Sequence, residues 1–514
     1  MNSTTHQELA RRKRRIERRL ERRHWTNQPR PMLSGRNIRY ELAQRGQAVA
    51  SGGIGAIHLL VRHVGLPEAI DQNLHLLKRH LPYHESDHVL SLAYNILAGG
   101  SCIEDLELLR TNEAVLDALG AQRIPDPTTA GDFCRRFENA PQVLLLMETI
   151  NQVRLNVWKQ QDESFFDQAI IDADGTIAPT TGECKEGMNI SYDGQWGYHP
   201  LLISLANTKE PLYLMNRSGN RPSHEQADEY LDRAVILCRR GGFKKILLRG
   251  DTDFEQTWKL DGWEDAGDIT FIFGADAVKS LVSRAEALGE SAWRRLQRPA
   301  KYQVQTQERT KPQNVKERIV RERGFRNFVL QWEDVAEFEH RPELCKRGYR
   351  MIALRKKLSV EQGQEVLFEQ YRYFFYITNE RTGTAQEIVF SANDRCDQEN
   401  LIEQLKNGVR ALRNPLDNLH SNWAYMVMAS LAWTLKAWCG LLLPAKPGPW
   451  QPRHEEQKRS IVRMEFKGFL GAMMRLPAQI VRTGRRIVYR LLSWNPWTSC
   501  LLRLAEAMRH PLRC

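Results

Sequence analysis

The pattern of apolar and polar positions divides the chain into a helical first part and a mixed second part. From about residue 40 to residue 140 the apolar residues recur at helical spacing. At Gln168 the pattern changes to alternation, and QAIIDADGTIAP predicts a strand with Ile170, Asp172 and Asp174 on one side. The runs YHPLLISLAN and LYLMNR follow after turn residues. We therefore predict a meander of three strands behind a helical domain.

The next segments predict a crossover connection and a second acid at a strand end. A helix capped by Ser223 and apolar through Leu237 precedes KKILLRGDTDF, a short buried strand that stops at Asp251. Three strands, a crossover helix and a further strand form a mixed α/β sheet. Alternating runs over 300–380 predict an inserted antiparallel unit, and SANDRCDQENLIEQLKNGVRALR then returns to a helix.

One apolar segment, from Ala424 to Leu443, is long enough to cross a membrane. It contains Lys436 and two hydroxyl residues, and this favours a core helix over a membrane span. The nine cysteines are scattered without paired spacing, which is typical of reduced thiols. These features predict a cytoplasmic protein with no membrane partner. Together with the charge distribution, they predict a protein that associates with DNA.

The net charge of +12 lies at the two ends of the chain. Residues 1–24 have a net charge of +6, residues 451–514 a net charge of +9, and the stretch between them a net charge of −3. Such basic ends predict a polyanionic partner. The alternative is that the basic tails only keep the protein soluble. We expect the basic residues of the first segment to bind DNA phosphates as part of a helix: Arg11, Arg12, Lys13, Arg14 and Arg15.

A second candidate for DNA binding is the segment PDPTTAGDFCRRF. Thr128 or Thr129 can cap a short helix that carries Arg135 and Arg136, as a helix that enters the major groove requires. The alternative is an ordinary packed helix.

Carboxylates at neighbouring strand ends are the candidate chemistry. Asp174 or Asp172 and Asp251 supply two oxygen donors of the kind that Mg²⁺ prefers, and a third must come from a helix. Arg395, Glu399 and Lys406 are spaced so that one helix face presents an acid between two cations. The acid would hold metal and the cations would bind substrate phosphates, whereas the plain alternative is an exposed ion-pair face.

These residues and their flanking motifs resemble a known family. Arg395-x3-Glu399-x6-Lys406 is similar to the Y-x2-R-x3-E-x6-K signature of DDE transposases of bacterial insertion sequences, except that Ala392 stands at the tyrosine position. DADGT, GYHPLL, RSGNRPS and LLRGDTDF resemble insertion-sequence family 1380 in particular, over about residues 45–490.

The resemblance implies an α/β fold with an RNase H-like catalytic core interrupted by a mostly β insertion. An all-helical DNA-binding domain would precede this core and a basic helical region would follow it. The implied triad is Asp174, Asp251 and Glu399, with Asp172 as the alternative to Asp174 and with Arg395 and Lys406 on DNA phosphates. The expected divisions are an arm at 1–40, the helical domain at 41–160, the core at 161–285 and 386–443, the insertion at 286–385 and the C-terminal region at 444–514.

The implied function is DNA transposition with Mg²⁺, for which Mn²⁺ would substitute. The partners would be double-stranded DNA, both the terminal inverted repeats and the target, bound by a dimer. Two alternatives stay open: a DNA-binding protein without catalysis that acts as a repressor or architectural factor, and another RNase H-like nuclease.

Overall fold

A computed structural model describes residues 3–20, 47–80, 82–182, 184–298, 318–319, 322–362, 365–483, 486–509 and 512. Its helices are α1 Ser3–Leu20, α2 Ile54–His63, α3 Leu66–Asn73, α4 Glu85–Ala98, α5 Leu106–Arg110, α6 Glu113–Leu119, α7 Pro127–Arg135, α8 Ala140–Trp158, α9 Ala227–Gly241, α10 Thr257–Asp265, α11 Lys279–Glu286, α12 Ala385–Asn393, α13 Cys396–Glu403, α14 Leu419–Leu441, α15 Gln451–Arg463, α16 Phe466–Phe469 and α17 Thr498–Ala507. Its strands are β1 Ala48–Val49, β2 Ala169–Gly175, β3 Ala178–Pro179, β4 Asn189–Ile190, β5 Trp196–Tyr198, β6 Leu201–Leu205, β7 Glu210–Met215, β8 Ile246–Gly250, β9 Ile269–Ala275, β10 Arg294–Arg295, β11 Arg326–His340, β12 Tyr349–Gln362, β13 Glu365–Thr378, β14 Ala478–Thr483 and β15 Arg486–Leu491.

A nine-stranded mixed sheet, in the order β10-β11-β12-β13-β9-β8-β2-β6-β7, is the centre of the molecule. Strands β2, β6 and β7 pair antiparallel, and β8 pairs parallel with both β2 and β9. Every residue of β6, β7 and β8 is buried. The predicted meander and the strand that follows the crossover are therefore confirmed.

The crossover helix α9 begins later than the sequence predicts. It starts at Ala227, after Gln226 in the left-handed conformation with φ of 59°, and Ser223 does not cap it. Ser223 lies instead in the preceding loop, which Arg217 organises by donating from Nη1 to the carbonyl oxygens of Pro222, Ser223 and Glu225. The loop thus uses backbone acceptors around a buried guanidinium where we expected a side-chain cap.

The predicted antiparallel unit over 300–380 consists of β11, β12 and β13. It is not a separate layer, because β13 pairs with β9 between Phe375–Thr378 and Ile272–Ala275. The insertion consequently extends the central sheet beyond β9. Strand β13 then leads directly into α12 and α13, which return the chain to the strand ends.

Helix α14 confirms the core interpretation of the segment from Ala424 to Leu443. All of its residues from Ser421 to Gly440 are buried, and it packs against α4, α8, α15 and β7. In the part of the chain that the structure describes, no helix is long and apolar enough to span a membrane. The described cysteines are free thiols.

A buried polar cluster connects α14 to the sheet and to α8. Glu210 is fully buried and accepts from Arg154 Nε at 2.9 Å, from Trp158 Nε1 at 3.1 Å and from Trp438 Nε1 at 2.8 Å. Thr208 adds a fourth bond at 2.6 Å. Because a buried charge is costly unless it is fully hydrogen-bonded, this cluster sets the relative positions of the three elements.

Two expectations about regular structure at the ends of the chain are wrong. The C-terminal region is not wholly helical, since β14 and β15 form a hairpin, and the N-terminal domain is not wholly helical, since β1 pairs with β14. Apolar side chains from the N-terminal helices, the sheet and the C-terminal region form one continuous core. The predicted domain divisions stay predictions.

The two basic ends lie together in space. Helix α1 contacts the C-terminal hairpin through Arg12 Nη1, which donates to the carbonyl oxygen of Leu491 at 2.6 Å. Arg486 and Arg490 on the same hairpin are exposed. Basic residues from the N-terminal and the C-terminal segments therefore contribute to one shared basic surface.

Candidate active site

Strand register brings Asp174 and Asp251 to the same edge of the sheet. Strands β2 and β8 run parallel with Asp172 opposite Arg249, so the residues two positions further on also lie side by side. Asp174 is the second-to-last residue of β2. Asp251 directly follows β8 and caps a short 3₁₀ turn. The Oδ1 atom of Asp251 accepts from the backbone N–H of Asp253 at 3.1 Å.

A single guanidinium lies between these two acids. Arg395 Nη1 is 3.3 Å from Oδ2 of Asp174 and 3.9 Å from Oδ2 of Asp251. Arg395, which we predict to bind DNA phosphates, places its positive charge between the strand acids in this structure. The gap between the two carboxylates is thus a position that favours a cation.

Asp172 has a different partner. Arg249 donates from Nε at 2.7 Å and from Nη2 at 2.9 Å to the two carboxylate oxygens of Asp172. Its Nη1 donates to the carbonyl oxygen of Ser391 in α12 at 2.7 Å. Asp172 is 1% exposed, so both of its oxygens are engaged in a sealed, bidentate pair that also holds α12 against the sheet.

Burial perturbs both strand-end acids. Desolvation raises the pKa of Asp174 to about 7, an effect that Arg395 opposes and that the charges of Asp251 and Glu399 reinforce. Burial also raises the pKa of Asp251, again against the effect of Arg395. Acids whose pKa is raised by burial, and further by neighbouring acids, gain free energy when a multivalent cation binds between them.

Glu399 lies in the first turn of α13 with its side chain exposed. The preceding residue, Gln398, is 2% exposed and fixes this helix to β6. Its amide accepts from the Ser204 hydroxyl and donates to the carbonyl oxygen of Leu202 at 3.3 Å. Leu202 pairs with Asp174 across the sheet, so Gln398 places the helix that carries Glu399 beside the strand-end acids.

Sequence reasoning missed Gln398 and the partner of Asp172. A long polar residue among Leu401, Ile402 and Leu405 on the buried face of a helix was the available signal for Gln398. An arginine inside the buried strand ILLRG was the signal for Arg249, because a buried guanidinium requires an acid partner.

The predicted helix face is not one regular α-helix. Arg395 precedes α13 as its N-cap, and Lys406 belongs to a π-helical turn over Gln404–Gly408. Burial lowers the pKa of the half-buried Lys406, while nearby acids that include Asp174 oppose this change. Lys406 therefore shares the electrostatic environment of the acids. Ala392 packs its methyl group against a small apolar cluster beside the sheet.

Among the residues that the structure describes, no three His, Cys, Asp or Glu side chains converge closely enough to hold a metal as they stand. The donor chemistry nevertheless fits a hard divalent cation, because Asp174 and Asp251 offer oxygen atoms around a gap that already contains a positive charge. Such a cation and the guanidinium of Arg395 would compete for this gap.

The predicted DNA-binding residues lie outside the acid site. Arg136 is exposed, whereas Arg135 forms ion pairs with Asp132 and Asp417, both at 3.0 Å. Asp126, and neither threonine, caps α7 by accepting from the backbone N–H of Thr129. In α1 most of the basic side chains are exposed, and Glu8 and Glu17 pair with some of them: Arg11 and Arg12 with Glu8, Lys13 with Glu17, beside exposed Arg14 and Arg15.

A mixed sheet with acids at the ends of two parallel strands is the arrangement expected of a DDE transposase from the sequence motifs. A family model described as "Transposase DDE domain group 1" matches residues 31–512. The chain belongs to this family and is a transposase of the DDE type, a class that acts in DNA transposition and recombination and generally depends on divalent metal ions.

A search of solved structures found similarity to the piggyBac transposase in a cryo-EM structure of its synaptic complex with hairpin DNA. The match covers 84% of each chain at 10% sequence identity, with a TM-score of 0.33. A search of curated proteins found no match.

Proposed function

We propose that this transposase binds the terminal inverted repeats of an insertion sequence of family 1380 and cleaves and transfers DNA strands through Asp174, Asp251 and Glu399. The observation that carries the proposal is the parallel register of β2 and β8, which sets Asp174 and Asp251 side by side. The strand order of β2, β6–β9 supports an RNase H-like core. Mg²⁺ is the proposed cofactor, and Mn²⁺ is expected to substitute.

Each residue near the proposed site has a separable role. Asp174 and Asp251 would hold the cation, with Glu399 of α13 as a further ligand. A divalent cation held there would supply Lewis-acid chemistry at the scissile phosphate and at a water or 3′-hydroxyl nucleophile. Arg395, released from the acids, and Lys406 bind DNA phosphates on the two sides of the reacting group.

The duplex is proposed to lie on the basic surface formed by α1 and the C-terminal hairpin, with Arg136 as a further contact and Arg135 once it leaves its acid partners. Contacts of this kind release counterions, so affinity should fall steeply as salt rises. The joining of two element ends requires two such surfaces, which favours a dimer in the DNA complex.

The test is metal-dependent cleavage of DNA from the flanks of the gene, with the products resolved on denaturing gels. We expect Asp251→Asn and Glu399→Gln to lose cleavage while they retain DNA binding. Asp397→Asn is the matched control, because Asp397 is an exposed acid in the same helical turn as Glu399 and pairs with Lys209. Cleavage that persists in both acid variants would contradict the proposal, and cleavage without strand transfer would indicate a nuclease.

A further inference from the structure

A small hairpin beside the acid site exposes aromatic side chains to solvent. Strands β4 and β5 are joined by residues 191–195, and β5 also pairs with β3. Tyr192 in the turn is 86% exposed, and Trp196 at the start of β5 is 54% exposed. Ile190 pairs with Trp196 across the hairpin, and it is also exposed. Three large apolar side chains within seven residues of one hairpin are a marker of a binding surface.

The hairpin is rigidly built, so this exposure does not result from a loose loop. Its turn is closed by the backbone N–H of Ser191, which donates to the carbonyl oxygen of Gln195 at 2.8 Å, and Gly194 supplies the required positive φ of 82°. At its base, the buried Tyr198 donates from its hydroxyl to the carbonyl oxygen of Glu186 at 2.8 Å. Its backbone therefore presents Tyr192 and Trp196 from a hydrogen-bonded hairpin.

The Tyr192 side of the hairpin borders the acid site. The ring of Tyr192 is 6.4 Å from the ring of His199, and a Cβ atom on Gly175 would lie 2.9 Å from Nε2 of His199. Gly175 directly follows Asp174. The cleft of about 320 Å³ that Tyr192 and His199 line also contains Arg221 and, close to Asp251, Asp253.

Cations flank both aromatic side chains. Lys185 and Arg413 line the larger cleft of about 1080 Å³ beside Trp196. On the other side, Arg221 lines the cleft of about 320 Å³ together with Tyr192. Aromatic faces interleaved with cations are the arrangement that binds unpaired nucleotides, because bases stack on the rings while phosphates bind the cations.

We propose that the hairpin 189–198 is a stacking platform for unpaired DNA bases next to the scissile phosphate, with Tyr192 and Trp196 as the stacking residues. The proposal rests on the function proposed above, and it names the form of DNA that the site accepts. A closed duplex hides the faces of its bases, whereas a frayed or single-stranded end offers them to an exposed ring.

The experiment compares a blunt duplex with the same duplex carrying a short unpaired 3′ extension, by fluorescence anisotropy on the full chain without divalent metal. Stacking tolerates any sequence, so an arbitrary duplex suffices. The wild type should bind the extended duplex about fivefold to a hundredfold more tightly. Tyr192→Ala with Trp196→Ala should abolish this preference, and Tyr192→Phe with Trp196→Phe should retain most of it because the rings remain.

Trp258→Ala is the matched control, since Trp258 is 53% exposed on α10 and lies outside the hairpin. As an independent measurement on the wild type, 2-aminopurine in the extension should be quenched by stacking, and it should recover its fluorescence in the double alanine variant. An equal affinity of the wild type for both duplexes, or a preference that survives in the double alanine variant, overturns the proposal. If the variants change the oligomeric state and leave the preference intact, the hairpin binds another copy of the chain, and the proposal is likewise wrong.

Failure of the two proposals is distinguishable. If the preference for the extended duplex is present but flanking DNA is never cleaved with Mg²⁺ or Mn²⁺, the platform stands and the transposase mechanism fails. If cleavage occurs and the preference is absent, the mechanism stands and the platform fails.

Discussion

Asp172 and Asp174 project from the same face of β2, two positions apart, and their surroundings are opposite. Asp172 is sealed from solvent in a bidentate pair with Arg249, which also holds α12. Asp174 receives one contact of 3.3 Å from an arginine that also reaches toward Asp251. One acid is saturated by its partner and the other is not. A carboxylate available for ligand binding is thus recognised by how incompletely its charge is compensated.

The largest expected difference between the two acids is in catalysis. Asp174→Asn should lower the rate of metal-dependent DNA cleavage on the order of a thousandfold, the loss expected when several kcal/mol of charge stabilisation in the transition state are removed. Asp172→Asn should retain measurable cleavage at a temperature at which it is folded. Single-turnover cleavage rates, with circular dichroism as a check on folding, measure both. Equal losses in two folded variants would remove the distinction.

The second difference is in stability, where Asp172 is expected to matter more than Asp174. Asp172→Ala leaves the buried Arg249 without its acid partner, which should lower the free energy of unfolding by about 3–5 kcal/mol. Asp174→Asn should not lower it, since it removes a crowded acid. Urea denaturation with a constant m-value measures these changes.

A double variant provides the control for stability. Asp172→Leu combined with Arg249→Met replaces the pair by apolar groups and should recover most of the loss. If the double variant is as unstable as Asp172→Ala, the cost does not arise from the stranded guanidinium.

The third difference is in pH dependence. Burial raises the pKa of Asp174 to about 7, so this carboxyl holds a proton below that pH. A metal must displace the proton, and the affinity for Mn²⁺ should therefore fall about tenfold per pH unit below about pH 7. Calorimetric titration of Mn²⁺ at several pH values measures this slope. A pH-independent affinity would show that Asp174 is not a ligand.

The same pKa shift has a consequence for stability without metal. The unfolded chain loses the proton of Asp174 near the ordinary value of 3.8, whereas the folded chain keeps it up to about 7. Between these values the folded state binds more protons, so raising the pH should lower the free energy of unfolding. Asp174→Asn should remove this part of the pH dependence, and an unchanged profile would contradict the assignment.

The smallest difference concerns the two arginines. Arg395→Gln removes a contact that a single guanidinium nitrogen makes with Asp174 and Asp251. Because these acids can take up a proton when the arginine is lost, the free energy of unfolding should change by only about 1 kcal/mol. Arg249→Gln should cost about 3–5 kcal/mol because it strands the buried carboxylate of Asp172. Thermal and urea denaturation of the two variants, measured side by side, test whether the loss of Arg395 costs less stability than the loss of Arg249.

Much of the central sheet could be predicted from the sequence, because local patterns determine it. Alternation in β2, the apolar runs of β6 and β7, and an apolar strand that ends at Asp251 each carry their own signal. The pairing of Asp172 with Arg249 could not be predicted in this way. It depends on cross-strand register between segments that are far apart in the chain.

The errors have similar physical causes. The family resemblance implied a helical C-terminal region, whereas β14 and β15 pair there as antiparallel strands. Two starts of helices were placed on hydroxyl residues, whereas Asp126 caps α7 and a left-handed Gln226 precedes α9. Gln398 was missed because its partners, Ser204 and Leu202, belong to a distant strand.

The pairing of β13 with β9 has a consequence for how this molecule tolerates changes in length. The insertion begins after β9 and ends with β13, which pairs directly with β9 in the same sheet. Residues added at the ends of β11–β13 that lie far from β9 would therefore lengthen the insertion without changing the pairing of β13 with β9. Asp251 and Glu399 can thus drift apart along the chain during evolution while their separation in space stays constant.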